Sequence, residues 1–185
     1  DPIVQALQQE KHVHIHEKVM ITSPEDMENV VEQSKKFPDT DFYSFGAFKI
    51  YIDGSLGGHN AYLSTPYQDK QDIYGYSYFS VDDVIALIRK ANSLKKQIAI
   101  HVIGDEALEI CLQAFEYMVN HDTTSLYHRL VHVQLASASQ LDRLRVLPLI
   151  VNLQPVFFKA DQSMAFSRLG QERLEQLGYP FRSIA

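Results

Sequence analysis

Three side chains in this sequence are of types that do chemistry and stand where that chemistry needs them. Lys49 lies inside the apolar stretch Phe48-Lys49-Ile50-Tyr51, His101 near the end of the apolar run that starts at Gln97, and His132 near the end of the stretch Arg129 to Gln134. Imidazole is a common ligand for zinc, iron and nickel. A lysine among apolar neighbours must be desolvated, which favours its neutral amine. A neutral amine reacts with carbon dioxide to give a carbamate, an anion able to bridge two cations. Singly, each residue has a plainer reading: a lone histidine is more often a satisfied core residue, and a lysine in an apolar strand often snorkels or finds an ion-pair partner. Together, at the ends of successive apolar segments, they point to a shared divalent-metal site.

Asp53, His59 and Asp105 follow these segments in loops, suited to orienting a substrate or supporting a metal ligand. Asp105 comes directly after Gly104 at a helix start, where capping the helix is an equal expectation. His12, His14 and His16 alternate, so they share one face of a strand. They sit at that strand's beginning, and a polar solvent face accounts for them without a metal.

A series of alternating strands and helices must position these residues. The segment Val13 to Ile21 is rich in β-branched residues and reads as a strand, and Ser23-Pro24-Glu25-Asp26 then gives a helix start with a cap, a first-turn proline and an acidic first turn. A second strand runs from about Phe45 to Ile52. Asp53-Gly54-Ser55-Leu56-Gly57-Gly58 then opens a Gly- and Tyr-rich loop to about Tyr78, of a length that usually serves a site. Ser80-Val81-Asp82-Asp83 begins a helix whose Val84, Ile85, Ile88, Ala91 and Leu94 keep the three-and-four spacing of a buried stripe. There follow a strand over Gln97 to Val102, a helix through Leu108, Cys111, Leu112, Phe115 and Met118, and a strand from Arg129 to Gln134. A short helix over Ser137 to Leu147 and a strand from Leu149 to Leu153, closed by Gln154-Pro155, complete the series. The remainder reads as a loop with one short helical pattern near Gln171 to Leu177. Strands apolar on both faces and separated by helices predict an α/β fold with a parallel sheet. About five such strands fit either a doubly wound sheet or consecutive staves of an eight-stranded barrel. In both, ligand residues gather at the C-terminal strand ends.

Acidic side chains outnumber basic ones by 23 to 17 over 185 residues, and the basic ones form no stripe, which argues against a nucleic-acid partner. No apolar run approaches the roughly 20 residues that span a bilayer, and no charged and apolar leader opens the chain. No membrane partner and a cytoplasmic location are therefore expected. Cys111, the single cysteine, fits a buried helix position and has no internal disulfide partner. The chain begins at Asp1 without a methionine and stops at Ser183-Ile184-Ala185 without a polar tail, so a piece of something longer is expected.

The segment from Phe48 to Gly57, then Pro66-Tyr67-Gln68-Asp69, His101-Val102-Ile103-Gly104-Asp105, the Arg129 to Gln134 strand and Gln154-Pro155 resemble the amidohydrolase superfamily. The branch they are most similar to is amidohydrolase family 3, with N-substituted formamide deformylase and related metal-dependent hydrolases. The ordered series extends over about Phe45 to Ile184. The resemblance implies a partial TIM-type (β/α) barrel, with residues 1–185 forming a single incomplete barrel domain whose strands correspond to barrel strands 3–7. It also implies a metal centre at the C-terminal strand ends, built from a His-x-His pair on the first strand, a lysine that can be carboxylated on the fourth, histidines on the fifth and sixth, and an aspartate on the eighth. By motif, Lys49, His101 and His132 take the fourth-, fifth- and sixth-strand positions as ligands of one or two divalent ions, zinc being expected. Asp53, His59, Asp105, Gln134 and Gln154 are the expected substrate-binding or supporting residues. His12, His14 and His16 then fall on the third strand, outside the metal set. The first-strand pair and the eighth-strand aspartate have no counterpart in these residues, and without that aspartate as proton relay the chain alone is expected to be inactive. Val131 stands where the family commonly has glutamate, and Gly58-His59-Asn60 where a serine- or arginine-containing turn is usual; both departures bear on substrate preference.

The expected reaction of the full-length protein is hydrolysis of a carbon–nitrogen bond in a small amide or formamide-type substrate. A second reading is a non-catalytic fragment or interaction module: a partial barrel leaves open strand edges and an uncovered apolar interior, which favour self-association, and a homo-oligomer is expected. A metal-dependent phosphoesterase on the same barrel is a weaker alternative, because no basic clamp for phosphate is evident in the sequence.

Overall fold

A computed structural model describes residues 14–122 and 126–184. Five strands, β1 (Ile15–Met20), β2 (Tyr43–Tyr51), β3 (Gln97–Val102), β4 (His128–His132) and β5 (Leu149–Asn152), pair in parallel in the order β1-β2-β3-β4-β5. Helices α1 (Pro24–Ser34), α2 (Val81–Ser93), α3 (Asp105–His121) and α4 (Ala138–Val146) fill the crossovers. Sequential parallel order is how the staves of a (β/α) barrel follow one another; a doubly wound sheet reverses its order at a switch point. The alternation predicted from the sequence is thus the observed one, as five staves of a barrel-type α/β fold. His12 and Val13 lie outside the described residues, whereas His14 and His16 are exposed, as a polar strand face predicts.

Local chemistry sets the helix starts. Ser23, Ser80 and Ser137 each accept a bond from the backbone N–H three residues on, and Asp26, Asp83 and Gln140 at those positions bond back to the cap. These reciprocal bonds satisfy amides that the first helical turn leaves without partners. Between sheet and helices lies the main core, where Phe48, Ile50, Ile98, Ile100, Val102 and Leu130 pack with Ile88, Leu108, Cys111 and Leu112. Leu56, Ala61, Leu63, Tyr67, Ile103, Leu135 and Leu169 form a second cluster that holds the long loop of residues 53–80.

Two expectations are corrected. The stretch after Gln154-Pro155 is not a loop: α5 (Val156–Leu169) occupies it, followed by the expected α6 (Gln171–Leu177) and a single turn, α7 (Phe181–Ile184). Val156, Phe157, Phe158 and Phe166 of α5 are exposed and trace no stripe, so the periodicity that marks a helix packed on a core is missing. Its end signals were nonetheless present: Pro155 directly ahead of it, and Gly170 at φ +73 behind it. Asp105 does not cap α3. Gly104 is the cap residue, and the Asp105 carboxylate instead takes the Ser64 backbone N–H at 3.1 Å and the Ser64 hydroxyl. Among the described residues, no helix is long and apolar enough to cross a membrane.

Candidate functional site

Pleating places Lys49, Tyr51, Ala99 and His101 on one face of the sheet, because Lys49 is in register with Ala99 and Tyr51 with His101. That face is turned away from the helical core. Lys49 Nζ lies 4.8 Å from the centre of the Tyr51 ring, which in turn lies 4.8 Å from the His101 ring. His132 arrives by another route. It is in register with Val102, a core residue, so the pleat alone would turn its ring toward the helices. The backbone leaves extended geometry at this point, with φ +84 at His132 and +49 at Val133, and the two imidazoles end 4.8 Å apart, edge to face. Positive φ at two successive non-glycine residues, one of them β-branched, costs about 1–3 kcal/mol each and gathers at functional sites.

The electrostatics suit neutral nitrogen donors. Burial, and after it the charge of Lys18, lowers the Lys49 ammonium to about 8. Among the described residues no carboxylate forms an ion pair with it. Burial brings His101 down to about 4, against the opposing pull of the Gly54 carbonyl, with His132 and Lys49 adding to the fall. His132 is likewise held below the usual histidine range, by burial and by Lys49. Both rings are therefore neutral at pH 7. His101 Nε2 lies 2.8 Å from the Gly54 carbonyl, which can only accept, so Nε2 carries the proton and Nδ1 the lone pair. His132 Nδ1 is buried with no hydrogen-bond partner among the described residues.

Of the expected supporting residues, the structure brings Asp53 and Gln154 to this cluster. Asp53 is fully buried and accepts bonds from the backbone N–H groups of Tyr62 (3.0 Å), Ile103 (3.0 Å) and Gly104 (2.8 Å), with His101 Nε2 at 3.8 Å. Burial pushes its carboxyl up to about 7 against those bonds. Its role is to tie the long loop to the end of β3, which sets the Gly54 carbonyl on His101. The Gln154 side chain lies by His132 and works against the lowering of its pKa. His59, Asp105 and Gln134 are engaged elsewhere. His59 Nε2 bonds Asp69 at 3.1 Å, and Asp69 also pairs with Arg168 of α5, so these three strap the long loop to that helix. Asp105 holds Ser64, and Gln134 reaches Asp161 at 3.5 Å.

Tyr51, Asn152 and Phe157 belong to the site and were not singled out in the sequence. Tyr51 could have been found by stepping two residues along the strand from Lys49. Asn152, in register with Val131 and through it with His101, is the one polar residue in the strand Leu149–Asn152. Phe157, 6.3 Å from the His132 ring, left no periodic signal. Beside the cluster opens a cavity of about 670 Å³ lined by Met20, Ile21, Tyr51, Tyr78, Phe79 and His101 among others. Among the described residues no three histidine, cysteine, aspartate or glutamate side chains come together to hold a metal by themselves. The orphaned His132 nitrogen, the free Nδ1 of His101 and the desolvated lysine fit a divalent cation as part of a larger ligand set.

A parallel sheet wound in sequence order, with a lysine and two histidines converging at the C-terminal ends of neighbouring strands, is the arrangement of (β/α)-barrel proteins whose sites lie at that face. The chain belongs to the amidohydrolase family, whose model, Amidohydro_3, matches residues 2–185. It is 36% identical over 135 residues to the putative amidohydrolase YtcJ of Bacillus subtilis, covering 72% of this chain and 25% of that protein. It is 29% identical over 141 residues to the protein LONG AFTER FAR-RED 3 of Arabidopsis thaliana, covering 75% of this chain and 24% of that one. An uncharacterized metal-dependent hydrolase from Pyrococcus furiosus superposes with a TM-score of 0.82 at 26% identity, over 99% of this chain and 37% of its own. Another from Pyrococcus horikoshii gives 0.78 at 29% identity, over 96% and 34%. The chain thus spans about a quarter of the length of the curated relatives it matches.

Proposed function

We propose that the full-length protein is a divalent-metal hydrolase of carbon–nitrogen bonds, amide or formamide in type, and that this chain contributes Lys49, His101 and His132 to its metal centre. The observation that carries this reading is the convergence of a desolvated lysine and two neutral imidazoles, one with an orphaned nitrogen, at the ends of three successive parallel strands. The metal-dependent hydrolases and the putative amidohydrolase among the similar proteins support it. Bound here, one or two divalent ions, zinc in first expectation, supply polarisation of the scissile carbonyl and activation of water near neutral pH. The chain's own residues do the remaining work. Lys49, lowered to about 8, has enough neutral amine to take up carbon dioxide and become an anionic ligand. Asp53 and Gly54 fix the ring and the tautomer of His101, and Gln154 steadies His132. Tyr51, Tyr78 and Phe79 bound the cavity, hold an apolar part of the small-molecule substrate and keep water out.

Because these residues match only 25% of the YtcJ protein, the remaining ligands and the proton relay are proposed to come from outside them, leaving the chain alone inactive. A homo-oligomeric, cytoplasmic enzyme with a single barrel domain is the accompanying expectation. Metal analysis of the full-length protein beside this chain tests the reading. Stoichiometric divalent metal in the former and little in the latter is expected; a metal-free full-length protein with intact amidase activity overturns it.

A further inference from the structure

Asn152 ends β5 after Leu149, Ile150 and Val151. Register links Tyr51, His101, Val131 and Asn152 into one row across four strands, and residues in such a row project to the same face. The row therefore brings Asn152 to the face that carries Lys49 and His101, on the strand next to His132. Its Oδ1 is buried and has no hydrogen-bond partner among the described residues. Among the described residues only His132 Nδ1 and Arg168 Nε share that condition, and Arg168 belongs to the strap that Asp69 makes with α5. An amide oxygen withheld from water and left without a donor is a cost that a fourth aliphatic residue on this strand avoids. Packing among the described residues does not explain it. A ligand that brings an N–H does.

We propose that Asn152 Oδ1 accepts a hydrogen bond from the N–H of the bond to be cleaved, so that the site takes primary and secondary amides in preference to esters and N,N-disubstituted amides. The inference rests on the carbon–nitrogen hydrolase reading and narrows its substrate class. An ester oxygen or a methylated nitrogen at that point leaves Oδ1 facing a lone pair or a methyl group, with the acceptor still unpaired. Sites built to hydrogen-bond a substrate N–H reject analogues that lack it far more strongly than apolar pockets reject a misfit.

The test uses the full-length protein and two non-hydrolysable probes, N-butylmethanesulfonamide and methyl pentyl sulfone, which differ by N–H against CH₂. By titration calorimetry the wild-type protein is expected to bind the sulfonamide about 10-fold or more tightly than the sulfone, and Asn152→Leu to erase that preference. In parallel, Asn152→Leu is expected to lower the ratio of kcat/KM for N-butylacetamide to that for N-butyl-N-methylacetamide by about 10- to 100-fold. Equal affinity of the wild-type protein for the two probes, or a preference that survives in Asn152→Leu, overturns the inference. The wild-type comparison needs no variant, so a misfolded Asn152→Leu protein does not block it. Amide hydrolysis without the sulfonamide preference overturns this inference alone. The preference without hydrolysis of any amide overturns the hydrolase reading and, with it, the assignment of that N–H to a bond being cleaved.

Discussion

The two histidines of β4 start from the same terms and end in opposite roles. His128 and His132 share a strand and a pleat parity, so both should face the helices. His128 does. Its Nδ1 accepts the Ile98 N–H at 3.1 Å and its Nε2 donates to Asn92 Oδ1 at 2.9 Å, while the Asn92 amide group bonds Asp122 and so holds its oxygen toward the ring. Every polar atom of that imidazole is satisfied. His132, at the other end of the strand, is swung to the open face by two positive-φ residues and keeps a buried nitrogen without a partner. At the N-terminal end of the strand histidine joins sheet to helix; at the C-terminal end the same side chain is held in a strained, unsatisfied state that a ligand would relieve. On the proposed reading, stability and chemistry are segregated along a five-residue strand, as barrel-type folds segregate them between their two faces.

The largest expected effect tests that segregation directly. On the proposed reading of His132 as a metal ligand, His132→Asn in the full-length protein is expected to lower kcat/KM by about 1,000-fold or more, since losing such a ligand forfeits several kcal/mol of transition-state stabilisation. His128→Leu is expected to leave kcat/KM of the folded protein within about threefold, and to lower unfolding free energy by roughly 2–4 kcal/mol, because the Ile98 amide and Asn92 lose their partner in a buried site. Urea unfolding and steady-state kinetics on both variants decide it. Should His128→Leu abolish activity in a fully folded protein, the two ends of the strand are not separate in function.

A pH titration sharpens the comparison. Burial lowers His128 from its ordinary 6.5 to about 4, only partly offset by the Asp122 charge. Between those values the unfolded chain takes up a proton that the folded one refuses, so stability rises with pH there. The contribution is complete above about 6.5 and is lost as pH falls through about 4. By the size of the shift it is worth roughly 3 kcal/mol. The difference in unfolding free energy between wild type and His128→Leu should therefore shrink by about that amount from pH 7 to pH 4. A difference that stays constant over that range shows that His128 is not buried as the neutral ring.

Much of this was legible in the sequence, and the parts that were not share a cause. Serine caps and apolar stripes located α1, α2 and α3 because those signals are local. Lys49 and His101 were legible as a pair because the pleat directs each without distortion. His132 was legible by type, but the kink that delivers it is not, since no glycine or asparagine marks the positive φ at His132 and Val133. His128 is silent in the sequence because its partners lie 30 and 36 residues away, and an imidazole that serves the fold looks in sequence like one that serves a ligand. Helix α5 carries no legible period because Val156, Phe157, Phe158 and Phe166 are exposed and only Ala165 and Leu169 near its end are buried.

The smallest effect is the most discriminating, because its sign is unusual. His132→Asn exchanges the partnerless nitrogen for an amide that is no better satisfied there, but it places at φ +84 a residue type that tolerates the left-handed region, where strain costs about 1–3 kcal/mol. Against this stands the loss of ring contacts with His101 and Phe157, about 0.5–1.5 kcal/mol for aromatic pairs. The balance favours a gain of about 0.5–1 kcal/mol, since unfunctional relief of a strained site commonly stabilises a protein at the expense of its activity. Metal-free urea unfolding of the variant beside the wild type measures it. A loss as large as that of His128→Leu would mean that His132 also carries the fold, and the contrast between the two histidines would disappear.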